Sequence, residues 1–164
     1  MSGFALRIRE FAEKAKDNME AVVVKTTTDI ASRIVERSPV GNPDVWLTLN
    51  PSMDIETREL TRKDAPKGYV GGRFRANWQI GLDAPATGEL DLIDADGEPT
   101  KKRLAAEIER IGAGHVVHIT NNLPYGPRLE YEGHSSQAPQ GMVRITVAEF
   151  QSIVDQAAKE VKSS

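Results

Sequence analysis

"FALRIREFAEKAKDNMEAVVVKTTTDIASRI", residues 4–34, is the stretch on which the fold of this chain turns. Phe4, Ile8, Phe11, Ala15, Met19, Val22, Thr26, Ile30 and Ile34 recur at intervals of three and four, which places them in one stripe along a helix. The other faces carry Arg7, Arg9, Glu13, Lys14, Lys16, Asp17, Glu20, Lys25, Asp29 and Arg33. Ser2 stands where a cap belongs, and "SPVGNP" (38–43) ends the helix because proline and glycine cannot continue it. At about 1.5 Å per residue the helix approaches about 50 Å. That is long for a chain of 164 residues. It must cross a sheet or lie against neighbouring subunits to bury its stripe. The β-branched run "VVVKTTT" (22–28) marks where a kink would fall.

Downstream of this helix, residues 38–72 hold four prolines and four glycines, with Trp46, Leu47 and Leu49 as a short apolar patch. A connection so long is uncommon inside a compact domain, so 41–70 reads as an inserted lobe that orders against a partner. "RFRANWQIGLDAP" (73–85) alternates Phe74, Ala76, Trp78, Ile80 and Leu82 against Arg73, Arg75, Asn77 and Gln79, the pattern of a half-buried strand. Residues 91–99 are turn-rich. A short amphipathic helix over 100–114 runs through Leu104, Ile108 and Ile111, with Thr100 as its cap and Gly112 and Gly114 as its stop. A strand at 115–122, a helical turn at 125–131 and a helix at 146–162 complete the order, the last with Thr146 and Glu149 as a capping box. Its apolar positions are Val147, Phe150, Val154, Ala157 and Val161. The expectation is one α+β domain over 1–164, with long N-terminal and C-terminal helices packed on a small, mostly antiparallel sheet.

Composition narrows the chemistry. Hydrophobic residues make up 39% of the chain and aromatics only 5%, so the core is real but small. Cysteine is absent, which removes disulfides, thiolate metal sites and a cysteine nucleophile together. The first twenty residues hold no signal-peptide run, and no window reaches the roughly 20 apolar residues of a membrane span. Folding in a reducing cytoplasm is therefore the expectation. A net charge of −3 gives no bulk attraction to nucleic acid.

The candidate motifs are weak as catalytic or metal sites. His115 and His118 fall on opposite faces of a strand, and His134 is remote, so zinc lacks a ligand set. "DADGE" (94–98) is a calcium-loop fragment without the earlier acid, where Leu92 stands, or the later Glu, where Arg103 stands. "GYVGGRFR" (68–75) is followed by no GKS or GKT and by no expected helix, so it is no phosphate cradle. Ser135 or Ser136 beside His134 lacks a strained G-x-S-x-G elbow. What stands out instead is arginine beside aromatics: Arg73, Arg75, Arg128 and Arg144 near Phe74, Trp78, Tyr125 and Tyr131, the residue types enriched at protein interfaces. A nucleic-acid-binding module, the competing class, would need a positive stripe such as Arg33, Arg37, Arg73 and Arg75.

Taken in order, "SPV" (38–40), "GGRFRANWQI" (71–80), "ITNNLPYGPRLEYEGHSSQAPQGMVRITVAEF" (119–150) and the closing helix resemble the tail-completion, or head-to-tail joining, proteins of long-tailed bacteriophages. The resemblance covers roughly three quarters of the chain by order of elements, and 119–150 is its specific part. The chain departs from it in the thirty or so residues at 41–70, in the extra Glu132, and in Ala76 where glycine is frequent. The resemblance implies a structural virion protein of the neck, assembled in the host cytoplasm, with no catalysis and no cofactor. Its partners would be copies of itself in a six-fold or twelve-fold ring, the head–tail connector, and tail tube or terminator proteins. DNA would pass through without specific binding, and no membrane would be involved. A tail terminator ring is the alternative within the same class. On this reading the polar, turn-rich 128–150 segment docks onto a neighbour, and the interface residues are Arg73, Phe74, Arg75, Trp78, Arg128, Tyr131, His134, Gln137 and Arg144.

Overall fold

The computed structural model describes residues 3–42, 69–112 and 114–163. The inserted lobe at 41–70 falls almost wholly outside the described residues, as does the Ser2 cap. Helix α1 (Gly3–Arg37) is followed by the single turn α2 (Arg73–Ala76), strand β1 (Trp78–Leu82), helix α3 (Glu98–Ile108) and strand β2 (Val117–Asn121). Helices α4 (Gly126–Tyr131), α5 (Val143–Ala148) and α6 (Phe150–Ser163) close the chain. The two strands pair antiparallel, with Trp78 opposite Asn121 and Leu82 opposite Val117. The fold is α+β: a long N-terminal helix and a C-terminal helix with a small two-stranded antiparallel sheet. No helix among the described residues is long and apolar enough to cross a membrane.

Helix α1 runs through the β-branched segment unbroken, and Thr28 Oγ1 donates back to Val24 O at 2.8 Å. Its burial is uneven. From Leu6 to Met19 every side chain except Ala15 is exposed, whereas Ala31, Ile34 and Val35 are core. The face that meets the core passes through Val24, Thr27, Ala31 and Val35. At about 100° per residue that face lies roughly a third of a turn from the apolar stripe read in the sequence, the two sharing Ile34.

The core gathers those positions with Phe74, Trp78, Leu104, Ile108, Leu123, Leu129 and Met142. Phe74 meets Trp78 edge-to-face at 5.8 Å between centroids, an arrangement that aromatic quadrupoles favour. Trp78 Nε1 donates to Ser38 Oγ at 2.7 Å, and Ser38 Oγ donates to Ile34 O at 2.8 Å, so the buried polar atoms at the end of α1 are satisfied.

Three local readings change. Residues 73–76 are a helical turn, because Gly72 takes φ 113° and its carbonyl accepts from Ala76 N. A Cβ at Gly72 would collide with the backbone of Asp94. A short helix therefore does follow the glycines, and the alternation of 73–85 begins only at Trp78. Asn77 and Gln79, placed on an outer face by that alternation, are buried. Asn77 exchanges hydrogen bonds with Leu90 in both directions and Gln79 Nε2 donates to Gly88 O, so these amides fasten the 83–97 loop to the strand. Helix α3 is not capped by Thr100. The carboxylate of Asp94 takes that role, accepting from Gly97 N, Thr100 N and Thr100 Oγ1 at 2.8, 2.8 and 2.5 Å. Likewise Thr146 lies inside α5, donating to Met142 O, and the helix that was expected to start there begins again at Phe150.

Candidate functional site

Two surfaces stand out: the segment from 128 to 144 and an apolar groove between α1, β2 and α6.

The polar segment is tied down by one carboxylate. Glu130, buried at the end of α4, accepts from Met142 N, Val143 N and Arg144 N at 2.8, 3.0 and 2.9 Å. These are orphan donors of the first turn of α5, where a negative charge is favoured. Gly141 makes this closure possible: its φ is 81°, and a Cβ there would stand 2.5 Å from the Glu130 carboxylate. Between the two anchors, Ala138 is buried and Gln137 bonds the backbone of Val40 twice, Nε2 to the carbonyl at 2.8 Å and the amide to Oε1 at 3.1 Å. The turn-rich composition thus builds a rigid loop across the end of α1, held by side-chain amide and carboxylate bonds.

The nine expected interface residues divide by environment. Phe74 and Trp78 belong to the core and leave almost no side chain for a neighbour; their aromatic mass is spent on folding. Arg75 donates to the carbonyls of Ala95, Glu36 and Ser38, so it is an internal clamp. Gln137 is committed to Val40. Arg73 pairs with Glu89 and Asp91, and Arg128 with Glu132, on the surface. Tyr131, His134 and Arg144 remain exposed. Tyr131 is 69% exposed, and the Arg144 guanidinium lies over its ring at 5.4 Å while donating to Glu130 O. This stacked pair is the part of the expected set that projects from the rigid loop.

The positive stripe needed for nucleic acid does not assemble. Arg33 and Arg37 both reach Glu149, at 2.7 Å each, and Arg37 also donates to Thr146 Oγ1. The Arg37 hydrogen bonds, with the charges of Arg37 and Arg33, hold the Glu149 carboxyl below its usual range. With Arg75 spent on carbonyls and Arg73 on acids, the four guanidinium groups serve the fold. His115 bonds Asp83 at 2.7 Å, and the Val116 amide and His115 together hold the Asp83 carboxyl low. Among the described residues no group of three or more His, Asp or Glu is placed to hold a metal ion. The "DADGE" fragment is a helix cap, since both Asp94 oxygens are taken by α3.

The second surface is a groove of about 370 Å³ between α1, β2 and α6, lined by Val22, Thr26, Ile30, His115, Val117, Ile119, Phe150 and Val154 among others. A smaller hollow of about 160 Å³ continues it past Ile34, Val143 and Val147. Of the apolar positions expected along the last helix, Val147 and Phe150 stand exposed along this groove, whereas Ala157 is buried, together with Ile153 from outside that set. Glu130, Asp94 and Asn77 carry most of the local architecture, although their sequence pattern assigns Glu130 no role, Asp94 to a turn and Asn77 to an outer face. A lone acid twelve residues before "MVR" gives no periodic signal to find it by.

No family model matches the chain, and neither a curated protein nor a solved structure matches it.

Proposed function

We propose that the chain is a structural subunit of a bacteriophage neck, forming a ring that completes the tail and joins it to the head connector while DNA passes through. The observation that carries this reading is the uncovered apolar stripe of α1: Ile8, Phe11 and Met19 stand exposed on a helix that extends beyond its own domain. Exposed apolar faces of this kind mark interaction surfaces. The resemblance of 119–150 to tail-completion proteins supplies the class, and the rigid loop presenting Tyr131 and Arg144 is a surface suited to a neighbouring protein. The net charge of −3 and the internally paired arginines suit a lumen that lets DNA slide. The role asks for no catalysis: geometry alone does the work.

The test is genetic and structural together. Removing the gene from the phage or prophage that encodes it should leave filled heads and finished tails unjoined, and the purified protein should restore joining. Tails of uncontrolled length would mark the terminator role instead. Tyr131→Ala, on an exposed side chain, should fold and fail to join heads to tails; Arg144→Ala should do the same once circular dichroism shows that losing its bond to Glu130 leaves the fold intact. Joined, infectious particles made without the protein would refute the reading.

A further inference from the structure

The apolar stripe of α1 and the groove beside β2 are one continuous surface. Phe11, Ala15, Met19, Val22, Thr26 and Ile30 follow each other at spacings of three and four, and the last three line the groove. The projecting half carries Ile8 and Phe11, the latter 75% exposed, while the groove's rim carries Phe150, 49% exposed, and Val147 lines the hollow that continues it. Opposite the stripe, Arg9 pairs with Glu13 and Lys16 with Glu20, so the far face of the projecting half is the solvated one.

We infer that the occupant of this groove is the projecting half of α1 from a second copy of the chain. The contact deepens the ring reading above and rests on it. Five large apolar side chains on the two surfaces, Ile8, Phe11, Met19, Val147 and Phe150, are 49–75% exposed, on the order of several hundred Å² toward the roughly 1,200–2,000 Å² of a standard specific interface. A projecting helix on one side and a groove on the other make a heterologous contact, in which each copy gives its helix to the next and receives one from the last. Such contacts close into rings when the rotation between copies allows. A helix laid in an apolar groove uses residues at spacings of three and four as anchors, which is the pattern of Ile8, Phe11, Ala15 and Met19.

The chain has no cysteine, so cross-linking has no background. A tagged Phe11→Cys copy mixed with an untagged Phe150→Cys copy should be joined by a short bismaleimide, whereas Lys16→Cys, on the ion-paired face, should not be. Phe11→Glu should reduce the assembly to monomers by light scattering while circular dichroism keeps the wild-type helix content, and Phe150→Glu should do the same. Rings of wild-type mass in Phe11→Glu would overturn the helix contact and leave the ring reading standing. Loss of assembly in Phe150→Glu alone would assign the groove to another segment and overturn it too. A wild-type chain that is monomeric at every concentration would overturn both.

Discussion

Asp94 shows how much one residue organises here. Its carboxylate satisfies two backbone amides and a hydroxyl at the start of α3, and Gly72 must stay a glycine to let the Asp94 backbone approach. Burial pushes the carboxyl up, but the bonds from Thr100 and the Gly97 amide outweigh that and hold it below its ordinary range. Because the folded value lies below the unfolded one, near 3.9, the stabilisation is complete above about pH 4 and disappears as pH falls through the folded value. Asp94→Asn should lower stability at pH 7 by about 2 kcal/mol in urea titration, and its stability should fall less steeply than wild type below about pH 4. Glu130 has the same place in α5. Gly141→Ala forces a methyl against it at a φ of 81°, and a loss of about 1–3 kcal/mol is expected, read as a lower urea midpoint. Both acids were illegible in the sequence because a cap is recognised by its distance to amides, and those amides lie three to fourteen residues away.

At the scale of elements, α1 serves two masters along its length. Its second half belongs to the core through Ala31 and Val35, and the seam with α5 and α6 is closed by Arg33 and Arg37 on Glu149 and by Lys25 on Glu160 at 2.8 Å. Glu149→Ala should lower Tm by a few degrees at low salt and by less at high salt, since these groups are partly solvated. Leu104→Ala, at a fully enclosed site on α3, should cost about 2–5 kcal/mol. Phe11→Ala, in the exposed half of α1, should change monomer stability by no more than about 0.5 kcal/mol. Helix existence and order were legible, since spacings of three and four survive any packing. Which face of α1 would meet the core was not. Two apolar faces overlap at Ile34, and the more regular one stays open from Ile8 to Met19, while Thr26 and Ile30 further along it are covered in whole or in part.

For the whole molecule, the uncovered stripe and the groove carry the proposal that copies of the chain pack against one another. The chain's light-scattering mass should rise with concentration, and at physiological salt it should not retard duplex DNA, because Arg33, Arg37 and Arg73 are ion-paired and Arg75 is engaged by backbone carbonyls. The amino-acid sequence alone determined the α+β class, the long first helix, the amphipathic last one and the absence of thiol chemistry, because periodicity and composition are local quantities. Only the tertiary structure decided that Phe74 and Trp78 are core, that Arg75 and Gln137 are internal clamps, and that Tyr131 and Arg144 stay outside. Whether an aromatic or an arginine is spent on folding or left for a partner depends on which groups the chain brings within about 3 Å of it, and spacing along the chain carries no record of that distance.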